Sequence, residues 1–360
     1  MNKLIIMLGA AVVATSVPLQ ANADTVPING VDWTYKDKDD AAKTVTLGSG
    51  SYKDAAMPAD TVLDASNFPW TVNFGGAPYT VTRLASYALY GCYNMSGTLT
   101  IPDGVNVSTW VFAYCTNLTT VVCGHGVASI GSKAFQGCTN LTAVLIRGPK
   151  TVTSGTQTYT EVGANDTFTD AMALKVVLCG PNTKGTDFSS MMRHVKNSKV
   201  YVPANGYWES LMLGGTGNVI VNYGPGLAYD LAFDSDTMVA TPTTEQGLAD
   251  VLNLAATVKS EFGLNTKVCI TNAIPATSGL VTADLLKNAE LGSLMFKVTT
   301  QAQLDNVLAA TANVSVPVGI DPDGDKHDVL TLPADRKVWV LLSGNGKYVP
   351  KINGLIISFH

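Results

Sequence analysis

Cys92, Cys115 and Cys138 stand 23 residues apart, and each occupies the same local setting: Leu89, Phe112 or Phe135 three residues before it, Asn94, Asn117 or Asn140 two after it, then Met95, Leu118 or Leu141. A period of this length marks a solenoid. One such unit cannot bury its own apolar face, so neighbouring units must stack to build a continuous core.

The copies can be aligned residue by residue. Val81 through Cys92 matches Val127 through Cys138 without gaps, 46 residues later, which is twice the period. Between them lies Val111-Phe-Ala-Tyr-Cys115-Thr-Asn-Leu118. Each Cys is followed by a short apolar run: Leu99-Thr-Ile101 in the first copy, Leu118-Thr-Thr-Val121-Val-Cys123 in the second, Leu141-Thr-Ala-Val144-Leu-Ile146 in the third. A degenerate fourth copy runs from Phe168 through Leu174 and Val177 to Cys179, and a fifth is reduced to the strand Val200-Tyr-Val202-Pro203.

With Ile130-Gly131, Ala134-Phe135, Cys138, Leu141, Val144 and Ile146, and with Ile101-Pro102-Asp-Gly-Val105 after the first copy, the pattern resembles the BspA-like class of bacterial leucine-rich repeats over residues of about 80 to 205. The resemblance implies a fold: a short solenoid with one strand per coil, the strands lining a concave face. It also implies a surface role that engages host or matrix proteins, although fold by itself does not carry function.

Strand residues alternate between two faces. If Val121, Val144, Val177 and Val200 point inward together with Cys123, Ile146, Cys179 and Val202, the residues between them point outward: Thr100, Val122, Leu145, Leu178 and Tyr201. Most of this row is apolar where water would favour polar side chains, and an exposed apolar stripe marks a binding surface. Two occupants are open at this point: a partner, or the chain itself through its 150–165 insertion or its C-terminal segment.

Residues 1–23 read as a secretory signal peptide, with Lys3, the apolar run Leu4 to Val13, Pro18, and a small-x-small cleavage site ending at Ala23. No later stretch is long and apolar enough for a transmembrane helix. Export to the periplasm, the cell surface or the medium is the expectation. Residues 24–79 read as an N-terminal β cap, with strands at Asp32 to Tyr35 and Thr44 to Leu47 around a charged turn, Lys36 to Asp40, and a partial repeat beginning at Asp60 to Leu63. Residues 80–205 are the repeats, and 206–225, rich in Gly, a terminal coil and linker.

From 226 to 360 the chain changes character and contains its own duplication. Thr243 to Val258 aligns with Thr299 to Val314, an offset of 56 residues, with Leu248, Val251, Leu252 and Ala255 and then Leu304, Val307 and Leu308 at helical spacing. Thr300 and Gln303 form a capping-box signature. Apolar runs near Lys267, Ser293, Lys337 and Leu355 read as strands. The fold class expected is therefore α+β and mostly β: a capped solenoid followed by a separate C-terminal α+β domain.

Charged residues make up 14% of the chain with a net charge of −5, and no basic cluster exists to meet nucleic acid. Six cysteines in an exported chain suggest disulfides, but the ladder position suits small buried thiols better. A bridge between adjacent rungs stays open on distance alone. Asp321, Asp323 and Asp325 alternate in a tight loop and form a candidate calcium site of hard oxygens, lacking the glycine and final glutamate of an EF-hand loop. A solvated hairpin turn explains them more simply. Cys123-Gly-His125 offers a thiol and a base with no third residue to orient them. No nucleophile elbow or phosphate loop occurs.

These features point to an exported, non-enzymatic binding or adhesion protein. It would recognise an extracellular or envelope protein, or a glycan, through Thr100, Val122, Leu145, Leu178 and Tyr201, with no cofactor beyond the calcium candidate. The alternatives are a secreted enzyme with catalysis in the C-terminal domain, and a structural envelope component.

Overall fold

Successive copies of the repeat lay their strands side by side in one seven-stranded sheet: Leu63–Asp64, Met95–Ile101, Leu118–Cys123, Ala143–Ile146, Val176–Cys179, Lys199–Pro203 and Val219–Tyr223. Every neighbouring pair is parallel, as stacked coils of one chain require. The computed structural model describes residues 24–52, 55–58, 60–149, 159–163, 165–186, 190–208, 213–234, 236–270, 273–291, 294–314, 318–322, 330–331, 338–341, 348–352 and 355–356.

The spaced residues of the repeat form ladders through the coils. Phe112, Phe135 and Phe168 are fully buried and stack with ring centroids 5.4 and 5.8 Å apart. Cys115 and Cys138 donate their thiols to the carbonyls of Leu89 and Phe112 in the preceding coil, each at 3.1 Å. All six cysteines are free thiols. Between the strands and these ladders lies a core that contains Val121, Val144, Val177, Val200, Cys123, Ile146, Cys179 and Val202.

On the other side of each coil a shorter strand joins a nine-stranded sheet. Asn106–Val107, Ser129–Ile130, Thr160–Gly163 and Thr183–Thr186 run parallel there, continuing from Ala77–Leu84. The N-terminal strands Asp24–Ile28, Val31–Asp39 and Thr44–Leu47 extend the same sheet, and Trp33 and Leu47 close the end of the core. Leu63–Asp64 pairs with Met95–Ile101 and so acts as the partial repeat expected near Asp60. One local expectation is corrected. The turn after Tyr35 is not at Lys36 to Asp40, since the strand continues to Asp39 over an irregularity with Asp37 at φ 50°. Within 206–225, expected as a terminal coil and linker, Val219–Tyr223 pairs along its length with Lys199–Pro203.

The duplication in the C-terminal part is a pair of β-α-β crossovers. In the first, Thr237–Pro242 leads into α1, Glu245–Phe262, and returns in Asn265–Val268, which pairs parallel with the strand that began the unit. In the second, Leu294–Val298 leads into α3, Gln301–Ala310, and returns in Val318–Pro322 in the same way. A short helix α2, Ala283–Leu286, lies between. Thr244 caps α1 by accepting from Gly247 N, Gly263 closes it in the left-handed conformation, and Thr300 with Gln303 completes the capping box of α3.

The two helices also repeat one contact. Glu245, the first residue of α1, is buried, and its carboxylate accepts from the backbone N–H groups of Thr277 (2.5 Å), Ser278 (2.8 Å) and Leu280 (3.0 Å). Gln301, the first residue of α3, exchanges hydrogen bonds with the backbone of Thr331. In both units the helix start clips the loop some 30 residues downstream.

The expectation of a separate C-terminal domain is corrected by its core. Leu248, Val251, Leu252 and Val258 of α1 lie in one buried cluster with Val122, Ala143, Leu145, Val176, Leu178 and Tyr201 of the repeat strands. The outward face of the solenoid is the floor on which the C-terminal part sits.

Candidate binding cleft between the repeat strands and helix α1

The register across the sheet places Thr100 opposite Val122, Val122 opposite Leu145, Leu145 opposite Leu178 and Leu178 opposite Tyr201. The row read from the sequence is therefore a real row, on the outward side. Its surroundings differ from the expectation. Leu145 and Leu178 have no exposed surface, and Val122 and Tyr201 retain 6% and 8%. Thr100 alone is exposed. As a site for a partner, Val122, Leu145 and Leu178 are ruled out because α1 and the strands around it occupy the space a partner would need.

Near the Tyr201 end of the row the two layers part, leaving a cleft of about 710 Å³, a volume typical of ligand sites. One wall comes from repeat strands and their turns: Lys175, Val176, Asn197, Lys199, Tyr201 and Val221. The facing wall is a stripe of α1 at helical spacing, Asp250, Asn253, Thr257 and Glu261, with Ser260 beside it and Tyr229 at the base. The stripe exists because α1 is amphipathic: its apolar side is spent on the shared core, and these polar residues are what that leaves at the border.

The rim is tied at one corner. Thr142 Oγ1 donates to Glu261 Oε2 at 2.9 Å, and Lys175 Nζ lies 3.6 Å from Glu261 Oε1. Along the rest of the helical wall, Asn253 donates to the Ala249 carbonyl at 3.0 Å and Gln246 donates to Asp250 Oδ1 at 2.9 Å. Burial, reinforced by the nearby Asp250 carboxylate, pushes the Tyr201 phenol up to about 12, and burial likewise raises Tyr229. Both phenols stay neutral and offer hydrogen bonds beside an aromatic face. With two lysines set against two acids, the cleft suits a polar ligand of low net charge.

Other sequence candidates fall elsewhere. Ala23 and the leader lie outside the described residues, as do Asp323 and Asp325; Asp321 lies in the strand Val318–Pro322. Among the described residues no three His, Cys, Asp or Glu side chains converge on a metal-sized site. The Cys123 thiol is pushed up to about 12 by burial, and a thiol held neutral is a poor nucleophile. His125 points its Nδ1 at the Gly148 carbonyl, 2.9 Å away. The pair is a packed rung and turn, with no activated group. The sequence reading missed Asp250, Asn253, Thr257 and Glu261. Their helical spacing was visible, but nothing local said which surface α1 would meet.

The repeat region is similar to a known family. A family model for the BspA type leucine rich repeat region matches in six copies over residues 72–160. A solved leucine-rich repeat protein from Bacteroides ovatus ATCC 8483 is similar at 11% identity, over 82% of this chain and 70% of its own, with a TM-score of 0.32. A search of curated proteins finds no match. Among the described residues no helix is long and apolar enough to cross a membrane.

Proposed function

Taking residues 72–160 as a BspA-type leucine-rich repeat region, we propose that the chain is an exported, non-enzymatic binding protein of the adhesion type whose ligand seat is the cleft between Tyr201 and α1. The observation that carries this reading is the cleft itself, built from both parts of the molecule and walled largely by polar side chains. The leader-like residues 1–23 support export, to the surface, the periplasm or the medium. The partner is an extracellular or envelope protein. No cofactor enters this reading.

The role of the C-terminal part is then to convert a broad strand face into a bounded site. A repeat face alone presents a row of like residues, whereas α1 adds acids and amides from a second direction. Convergent polar groups in a concave site give a ligand a defined orientation. No observation among the described residues favours a catalytic role for this part.

The test is binding of the chain without residues 1–23 to a panel of purified extracellular-matrix proteins by surface plasmon resonance, with Lys199→Glu and Asn253→Arg as cleft variants. Lys199 and Asn253 are exposed, so neither change disturbs the core. The expected result is affinity for at least one panel protein, weakened about tenfold or more by each variant. Absence of binding throughout, or binding indifferent to both variants, would overturn the cleft as the seat.

A further inference from the structure

Away from the cleft, on the turns that lead into the cysteine ladder, aromatic rings gather at the surface. Tyr52, Tyr87, Tyr90, Trp110 and Tyr114 form a connected group with centroids 5.4 to 6.2 Å apart. Tyr52 is 63% exposed and Tyr114 37%, and the others are half-buried. These rings belong neither to the solenoid core nor to the cluster under α1.

The repeat itself explains the backbone at these positions but not the side chains. Tyr87, Trp110, Lys133 and Asp166 are equivalent: the N–H of each donates to the next coil, to Thr109, Ser132, Asn165 and Ser190 in turn. All four are left-handed, with φ of 61°, 63°, 60° and 54°. Tyr114 at φ 62° is in the same way equivalent to Gly91 and Gly137, both at 71°. Large rings are disfavoured in this conformation, and the sister coils do without them. An aromatic residue held where the fold would accept Lys, Asp or Gly is backbone strain of the kind found at functional positions.

The arrangement also has a definite chemistry. Tyr114 lies flat along the next coil, where a Cβ on Gly137 would come within 2.5 Å of its ring. Tyr90 meets it edge-on at 5.4 Å, and 37% of Tyr114 remains exposed. Lys133 sits 4.8 Å above the Trp110 ring and is the charged group in ring contact with the cluster among the described residues. The hydroxyl residues Ser86, Thr109 and Ser132 immediately precede Tyr87, Trp110 and Lys133. Aromatic rings that carry their own phenol hydroxyls, on a rigid ladder with little charge, match a pyranose: an apolar C–H face rimmed by hydroxyls.

We propose that this cluster is a carbohydrate-binding surface, on which a neutral polysaccharide stacks a sugar face against the exposed Tyr114 ring, which Trp110 holds in place through Tyr90. It is distinct from the cleft and independent of what the cleft binds. Aromatic side chains give large contact area at small conformational cost.

The sister coils supply the variants. Trp110→Lys copies Lys133 and Tyr114→Gly copies Gly137, so each places at its position a residue the fold already uses there. The measurement is migration of the chain lacking residues 1–23 in native gels cast with amylopectin, xylan or galactomannan, and with polygalacturonate as the acidic comparison. Expected is retardation by at least one neutral polysaccharide, weakened about tenfold by Trp110→Lys and by Tyr114→Gly, and kept by the cleft variant Lys199→Glu. Unchanged circular dichroism confirms that the variants fold. No retardation by any neutral polysaccharide, retardation by polygalacturonate alone, or retardation that survives both ring variants would each overturn the proposal.

Discussion

The central strands Leu118–Cys123, Ala143–Ile146 and Val176–Cys179 bury both of their faces, yet the two faces are buried by different kinds of neighbour. Inward residues such as Val121 and Val144 meet their equivalents in adjacent coils, so their partners are close in sequence. Outward residues such as Leu145 and Leu178 meet α1 and its strands, more than 60 residues further along the chain. The first core forms as coils stack, whereas the second waits for a distant segment to return. Parallel sheets are usually covered on both faces, and an apolar outward row in a repeat strand is the mark of that second cover. It is not by itself a partner site.

The sharpest way to break this comparison is to place a charge on each face at neighbouring positions. Val144→Asp puts an unpaired carboxylate into the ladder core, at a cost of about 4 kcal/mol or more. The whole cooperative transition should then be lost in urea denaturation followed by circular dichroism. Leu145→Asp, one residue on and equally buried, should instead release the C-terminal part. The expected signs are dye binding by the uncovered row and an early proteolytic cut between the two parts, with the repeat region still folded. Identical behaviour of the two variants would mean that the faces form one inseparable core.

A smaller effect is expected where α1 is held in place. The Glu245 carboxylate is raised by burial, but hydrogen bonds from Ser278, Thr277 and Leu280 outweigh this and set it below the ordinary glutamate range. A depressed carboxylate stabilises the fold fully above its unfolded value and loses that contribution as the pH falls through the folded one. Glu245→Gln should therefore cost about 1–3 kcal/mol at neutral pH. It should also flatten the decline in stability that the unaltered protein shows on acidification, measured by thermal melts from neutral pH to below 4.5.

The cysteines sharpen the contrast from the inner side. Cys92, Cys115, Cys123, Cys138 and Cys179 are buried and Cys269 is half-buried, and burial pushes Cys92 and Cys138 up to about 12. A thiol reagent should modify Cys269 alone in the native protein and the other five only after denaturant opens the ladder. The smallest effect belongs to the rim: Lys175→Ala removes an exposed contact to Glu261 and should change stability by no more than about 0.5 kcal/mol.

How much of this could be read from the residues follows the same division. The period placed the inward set, the outward row and their cross-strand register, because those features repeat at short range and each copy corrects the others. The strand Val219–Tyr223 was legible only as part of a terminal coil, since that coil keeps few of the spaced residues. The duplication at 243–258 and 299–314 revealed two helices, and the cap of the second was legible in Thr300 and Gln303. The seat of α1 was not, because its contacts join segments such as Thr142 and Glu261, 119 residues apart, and no local pattern encodes that distance. Tyr201 entered the candidate site through its row, while the wall facing it needed the fold.

The seating of α1 has a consequence for how such a chain can change over generations. A free solenoid tolerates the gain or loss of a coil, since each unit touches only its neighbours. Here the platform runs without interruption from Val122 to Tyr201 under one C-terminal part. An extra coil inserted within it would carry Tyr201 away from Leu145 by about 4.8 Å, moving one end of the platform while the helix above it keeps its length. The number of coils between Val122 and Tyr201 is thus inherited as a fixed dimension, like the span of a hinge, and duplication is left to the ends.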